Sequence, residues 1–124
     1  MKIATIIVRS LMGLLFLFAS ITFFFKLITP PPPVGAMKIF SAGLEASVYF
    51  FPMLMVVEFV CGLAFVTGRF VTLASILIAP VIVNIVLVHA FMDPKGLPVA
   101  FFLVFANSFV AYGNRDNYKS LFKA

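Results

Sequence analysis

Four apolar stretches, each close to the length that crosses a lipid bilayer, occupy most of this 124-residue chain. They cover residues about 3–28, 51–67, 70–92 and 97–113. A transmembrane helix needs about 20 consecutive apolar residues, because the hydrocarbon core of a bilayer is about 30 Å thick. A chain of this length that is 64% hydrophobic and 10% charged has too much apolar surface for one water-soluble core. The sequence therefore predicts one membrane-embedded domain over residues 1–124.

The charged residues and the single cysteine exclude several classes of function. Nine Lys and Arg against four Asp and Glu give a net charge of +5. The basic residues lie at the ends of the apolar stretches, where membrane topology and anionic headgroups account for them, so nucleic acid is not an expected partner. One cysteine excludes an intramolecular disulfide and a cysteine-based zinc site. No zinc spacing, phosphate-binding loop or nucleophile with its base is present, so neither a metal site nor a catalytic residue is predicted.

The connections between the apolar stretches predict how the helices are arranged. Residues 29–33, a threonine followed by four prolines, should form a stiff extended segment. Residues 35–49 then show helical amphipathic spacing and predict a short helix on the membrane surface, either as a plain anchor or as a lid or docking surface. The turns at 68–69 and 92–96 are short, so neighbouring spans must pack antiparallel. We therefore expect an all-α integral membrane protein, an antiparallel four-helix transmembrane bundle with an interfacial helix between spans 1 and 2.

Four spans place both chain termini on the same side of the membrane. The basic residues expected on that side are Lys2, Arg9, Arg69, Arg115, Lys119 and Lys123, against Lys26, Lys38 and Lys95 on the other. Since cytoplasmic loops carry the excess of Lys and Arg, both termini are predicted to be cytoplasmic, in a bacterial inner membrane.

Three polar residues inside the spans are the main candidates for a functional site, because burying such groups in a bilayer is costly. Measured from the outer end of each span, Glu58 lies about 10 Å deep, Asn84 about 12 Å and Asn107 about 15 Å, which predicts one common polar layer. Gly62 shares a helix face with Glu58 and should let a neighbouring helix approach closely. Two interpretations remain open: a protonated Glu58 carboxyl that hydrogen-bonds Asn84 or Asn107 to join helices, or a binding site.

Arg9 on span 1 is the candidate counter-charge for Glu58. Side chains lean toward the N-terminus of their own helix, so Arg9 should lean inward and Glu58 outward, which argues against an ion pair. The alternative is that Arg9 extends along the helix to the inner headgroups.

Span 3 carries two further candidates. Pro80 cannot donate to the Ile76 carbonyl and should kink the helix, either opening a pocket or serving packing alone. His89 lies one turn from the outer end, where a haem ligand or proton carrier could sit, although an interfacial hydrogen bond is the favoured interpretation. A single histidine excludes bis-histidine haem within one subunit.

A series of short motifs runs through the chain in a distinctive order. They are Arg9 with Leu11-Met12-Gly13-Leu14-Leu15-Phe16, Lys26-Leu27, Pro52, Val57-Glu58, Cys61-Gly62-Leu63, Gly68-Arg69, Leu77-Ile78-Ala79-Pro80-Val81-Ile82-Val83-Asn84 and His89. In this order they resemble the DoxX-like family of small four-span membrane proteins, over nearly the whole chain. The resemblance implies a four-helix bundle with polar family positions at Glu58, Asn84, Arg9 and His89. It also implies an association with quinone-linked oxidoreductases or a role in the assembly of other membrane proteins.

Two functional hypotheses follow from the polar layer and the resemblance. The favoured one is a small inner-membrane accessory or assembly protein that binds a partner membrane subunit or a lipid-like ligand through the layer. Its expected partners are the lipid bilayer and another membrane protein or further copies of the chain. The alternative is a quinone-linked oxidoreductase subunit in which Glu58, with Asn84 or His89, hydrogen-bonds a quinone and exchanges its proton. Transport is a weaker idea, because four short spans without an internal repeat make a poor carrier.

Overall fold

The computed structural model describes residues 2–28 and 31–122, which fold into α-helices and short 3-10 segments without β-strands. The α-helices are α1 (Lys2–Phe25), α2 (Gly35–Ala46), α3 (Phe50–Thr67), α4 (Val71–Phe91) and α5 (Leu97–Gly113). The 3-10 segments are Pro94–Gly96 and Arg115–Phe122. Helices α1, α3 and α4, and the segment Pro94–Gly113 that contains α5, are long and apolar enough to span a membrane. The prediction of an all-α membrane bundle is confirmed.

The first two helices end earlier than the sequence pattern suggests, and the backbone shows why. Lys26 adopts the left-handed conformation with φ 53°, and the Leu27 amide donates to the Thr22 carbonyl over 3.1 Å, which closes α1 with a Schellman-type cap at Phe25. Val48 also has a positive φ of 70°, so the interfacial helix cannot continue to residue 49. Of the predicted extended segment, Thr29 and Pro30 lie outside the described residues, and Pro31, Pro32 and Pro33 are not helical.

The spanning helices form a closed ring in the order α1, α3, α4, α5. Inward side chains from all of them meet in one apolar core, made of Met12, Phe16, Cys61, Phe65, Ala74, Ile78, Ile82, Leu103, Ala106 and Val110. The outward faces are apolar and exposed, with residues such as Ile7, Leu63 and Phe105 from 43% to 71% exposed. A bundle that is apolar on both its inner and outer surfaces fits lipid as the surrounding solvent.

The α1 and α3 helices make the closest approach in the bundle. A Cβ atom added to Gly13 would lie 2.9 Å from the Gly62 carbonyl oxygen, and one added to Gly62 would lie 3.0 Å from the Gly13 carbonyl oxygen. Only glycine allows two helix backbones to touch in this way. The close contact that Gly62 predicts is therefore present, and its counterpart is Gly13.

Helix α2 stands apart from this ring. None of its residues is buried, and it packs against α3 alone among the helices with which it makes more than slight contact. Met37, Phe40 and Leu44 are half-buried, whereas Lys38 and Glu45 are exposed. This partition matches an amphipathic helix lying at the membrane surface.

Candidate functional site

Arg9 lies at the end of the bundle where α1 begins and α3 ends, which we call the terminal end. Its Nη1 atom donates to the Phe65 carbonyl over 2.5 Å and to the Val66 carbonyl over 3.4 Å. The guanidinium also lies over Gly68, where an added Cβ would be 2.7 Å from Nη1. Arg9 thus supplies donors to carbonyls at the C-terminus of α3 that have no partner within the helix. Glu58 lies seven residues before Phe65, about 10 Å along α3, so Arg9 and Glu58 are not an ion pair.

Glu58 faces the centre of the bundle and is 4% exposed. It lies on the face of α3 between Gly62, which touches α1, and Cys61, whose Sγ lies 3.8 Å from the Ala74 carbonyl on α4. Within the described part of the chain, no hydrogen bond or salt bridge reaches its carboxyl group. The interpretation of Glu58 as a residue that joins helices therefore has no contact among the described residues to support it.

Asn107 is bonded to α4 rather than to Glu58. Its Nδ2 atom donates to the Ser75 carbonyl over 3.3 Å. The Asn107 Oδ1 and Ser75 Oγ atoms are both buried and have no hydrogen-bond partner among the described residues. The α4–α5 interface therefore contains a polar pair whose hydrogen-bonding capacity is only partly used.

The side chains of Ser75 and Asn107 line a groove on the surface of the bundle between α4 and α5, which we call the α4–α5 groove. Its volume is about 510 Å³, and it is lined by Ser75, Ile76, Ala79, Pro80, Val83, Asn107, Ala111 and Tyr118. Pro80 has no amide hydrogen, so the Ile76 carbonyl loses its usual donor four residues on. The Tyr118 hydroxyl donates to the Thr72 carbonyl over 3.4 Å and holds the C-terminal 3-10 segment against the start of α4. The groove thus combines apolar walls with several available hydrogen-bonding atoms.

Sequence reasoning found Asn107 and Pro80 but missed Ser75 and Tyr118. A serine in an apolar helix is a weak signal, because its hydroxyl can bond to a carbonyl of its own helix. Ser20 does so here, donating to the Phe16 carbonyl over 2.9 Å. The signal in the sequence was that Ser75 comes one residue before Ile76. The Ile76 carbonyl has no donor four residues on, because Pro80 lacks an amide hydrogen.

His89 holds the connection between α4 and α5. Its Nδ1 atom lies 3.2 Å from the Asp93 carbonyl oxygen and 3.9 Å from the Asp93 carboxylate. The imidazole ring packs so tightly on Gly96 that a side chain at that position would overlap it. His89 thus contacts the connection that follows α4, and it does not line the groove. The expected hydrogen bond at the membrane interface stays a prediction.

Asn84 is exposed on the outer surface of α4. It lies nine residues after Ser75, about 13 Å along the helix, and on the opposite side of it. No hydrogen bond to its side chain occurs within the described residues. The predicted polar layer is therefore spread over separate places: Glu58 in the centre, Asn107 with Ser75 beside the groove, and Asn84 on the outside.

The described residues contain no group of three or more His, Cys, Asp or Glu side chains that could hold a metal ion. The α4–α5 groove itself presents uncharged hydrogen-bonding groups in apolar surroundings. Such an arrangement suits binding of an apolar molecule with a few polar atoms.

Comparison with known proteins gives one positive result. The family model for DoxX matches residues 4–90. This match includes Arg9, Glu58, Asn84 and His89, while Asn107 and the whole of α5 lie beyond it. Neither the comparison with curated proteins nor the comparison with solved structures finds a match. Because the family model covers well over half of a chain that folds as a four-span helical bundle, this protein belongs to the DoxX family.

Proposed function

We propose that this protein is a small membrane accessory protein, without chemistry of its own, that binds a lipid-like ligand in the α4–α5 groove. One observation carries the proposal: Ser75 Oγ and Asn107 Oδ1 are buried at the groove without partners in the described part of the chain. Lipid hydrocarbon offers such atoms no hydrogen bond. A bound molecule can satisfy them.

The free hydrogen-bonding atoms define the polar part of the ligand. Asn107 Oδ1 and the Ile76 carbonyl are acceptors, and the Ser75 hydroxyl can both donate and accept. A ligand hydroxyl fits this set, because it can donate to one acceptor while accepting from Ser75. Each buried polar atom left unpaired costs about 1–3 kcal/mol, so satisfying two of them is a substantial share of a binding free energy.

The remaining walls define the apolar part of the ligand. Ala79, Pro80 and Val83 line the groove with aliphatic surface, and Ala111 leaves space opposite them. The volume of about 510 Å³ falls within the usual range of small-molecule sites. We therefore expect a hydroxyl-bearing apolar molecule, such as an isoprenoid alcohol or a quinol, to enter from the membrane.

The alternative function, a quinone-linked oxidoreductase subunit, is supported by one point, since a reduced quinone carries two hydroxyl donors that suit the groove. Its proton-exchanging residue was expected to be Glu58, which does not line the groove. Binding therefore ranks above redox chemistry here. Quinone reactivity that is unchanged in membranes containing the Glu58→Gln variant would eliminate the alternative.

We place the protein in a bacterial inner membrane with both termini in the cytoplasm. Supporting this orientation, Arg9, Arg69, Arg115 and Lys119 belong to the terminal end of the bundle, while Lys26, Lys38 and Lys95 belong to the other. Lys123, which was expected to add to the cytoplasmic set, lies outside the described residues.

The proposal is tested with a matched pair of probes, farnesol and farnesyl methyl ether. The two share the isoprenoid chain, but the ether cannot donate a hydrogen bond. We expect farnesol to bind the detergent-purified protein about 5-fold more tightly than the ether, as expected for one hydrogen bond of about 1 kcal/mol. The preference should vanish in Ser75→Ala and Asn107→Leu and persist in Ser108→Ala, a control serine on α5 outside the groove. Equal binding of both probes, or a preference retained in Asn107→Leu, contradicts the proposal.

A further inference from the structure

The outer surface of α4 carries a second feature, which shares Pro80 with the groove but does not depend on the proposed ligand. A stripe of exposed residues runs the length of the helix, and we call it the α4 stripe. Its members are Leu73, Leu77, Pro80, Asn84, Leu87 and Phe91. They follow one another at alternating steps of four and three residues, which is the spacing of a helix face that pairs with another helix. The rest of the groove wall on α4, centred on Ala79 and Val83, lies about a quarter turn away around the helix.

Spacing alone does not identify a contact surface, because any lipid-facing helix shows it. The outer face of α1 has the same steps at Ile7, Leu11, Leu14 and Phe18, all of them exposed. The difference is Asn84, because the α1 face has only apolar side chains at these positions. An amide brings two donor hydrogens and an acceptor oxygen into a region where lipid offers no partner. No described residue pairs them, and a second molecule seated on the α4 stripe would.

We propose that the molecule covering the α4 stripe is a second copy of this chain, with Asn84 of each copy hydrogen-bonded to Asn84 of the other. Copies inserted in the same orientation can form a closed pair only about a two-fold axis along the membrane normal. The two α4 helices then run parallel, and each residue near the axis meets its own counterpart. An asparagine amide suits such a position, because it donates to and accepts from an identical group.

The neighbouring residues support a parallel helix pair centred on Asn84. Counting the stripe as a heptad pattern puts Asn84 at an a position, with Leu77 and Phe91 at the a positions before and after it. Leu73, Pro80 and Leu87 then fall at d positions. A single asparagine at an a position fixes the register and the number of helices in such assemblies. The leucines on either side provide the packing, and the amide pair provides the specificity.

Cysteine cross-linking in native membranes tests this pairing. The only native cysteine, Cys61, is buried and is first replaced by alanine. Single cysteines are then placed on the stripe, as Leu77→Cys and Leu87→Cys, and on the matched α1 face, as Leu11→Cys and Leu14→Cys. Oxidation should link two copies at the α4 positions and leave the α1 positions largely monomeric.

The Asn84 amide is tested in the Leu77→Cys background. Adding Asn84→Leu should weaken dimerisation about tenfold, the effect expected for a reciprocal pair of interhelical hydrogen bonds in a membrane. Asn84→Gln keeps an amide and should restore most of the cross-link. Since Asn84 is exposed, both variants should retain the helical content and thermal stability of the parent. Equal cross-linking on α1 and α4, no loss with Asn84→Leu, or a cross-link to a different protein instead of a second copy would overturn the inference.

Discussion

Between α1 and α3, backbone touches backbone at Gly13 and Gly62, and the Arg9 guanidinium donates to carbonyls at the end of α3. Along α4, by contrast, the Ser75 hydroxyl and the Asn84 amide have no hydrogen-bond partner among the described residues. Both regions belong to the same bundle and are built from equally apolar helices. They differ in whether the protein itself completes the hydrogen bonds of its polar groups.

The difference indicates a division of roles. A polar group that is satisfied inside the fold stabilises the bundle and offers nothing to other molecules. A polar group that is left unsatisfied costs stability, and it persists most readily where binding of another molecule recovers that cost. The α1–α3 interface therefore holds the bundle together, whereas the ligand and the second copy that we propose would both contact α4.

The largest expected effect comes from widening the α1–α3 contact. Gly13→Ala would place a Cβ within 2.9 Å of the Gly62 carbonyl oxygen and the Phe65 Cβ, so the two helices must separate. We expect a loss of about 3 kcal/mol in unfolding free energy, the upper range for overpacking, measured by circular dichroism in detergent. Gly43→Ala is the control, because that added Cβ meets no atom within 4 Å. Equal stability of Gly13→Ala and the parent would remove the basis for treating α1–α3 as the structural interface.

A smaller loss is expected from the α3 terminus. Arg9→Ala removes the donors to the Phe65 and Val66 carbonyls and should cost about 2 kcal/mol, as for hydrogen bonds from a charged group. The control is Arg115→Ala, whose exposed guanidinium donates to the Tyr112 carbonyl three residues earlier and lies over the Tyr112 ring. Both contacts are local and exposed, so the variant should lose less than about 1 kcal/mol. If Arg9→Ala and Arg115→Ala have the same unfolding free energy, Arg9 serves membrane topology or headgroup contact rather than the packing of α3.

The smallest and oppositely signed effect concerns Glu58. Because its buried carboxyl has no partner among the described residues, Glu58→Leu should raise the unfolding free energy by about 1 kcal/mol. Glu45→Leu, on the exposed surface of α2, serves as the control for removing a negative charge. A lower unfolding free energy in Glu58→Leu would show that the carboxyl has an interaction that stabilises the bundle. Glu58 would then be grouped with the satisfied polar groups of the α1–α3 interface.

The sequence predicts the architecture well because span length and hydropathy are properties of each helix alone. The same is true of the short turns that force antiparallel neighbours and of the glycine that marks the close α3 contact. The direction in which Arg9 leans was also sufficient to separate it from Glu58. Each of these conclusions needs only one helix and its immediate connections.

The relative depth of the helices could not be obtained in this way. The estimate that grouped Glu58, Asn84 and Asn107 counted depth from the outer end of each span, and so assumed that these ends lie at the same level. Instead, the connection turns back alongside α4, so that Gly96 packs on His89, two residues before the end of the helix. Asn107 is thereby brought level with Ser75, and Asn84 remains about 13 Å away along α4. The packing of the His89 ring on Gly96 sets the relative depth of α4 and α5, and hydropathy does not predict that contact.

The C-terminal 3-10 segment has a consequence for how the protein is made. Tyr118 forms one wall of the α4–α5 groove, and Asn117 donates to the Thr72 hydroxyl over 3.0 Å at the start of α4. Both residues are synthesised after all four spans. The four spans can therefore insert and begin to pack before Tyr118 takes its place, and the wall that it contributes to the α4–α5 groove is added after them.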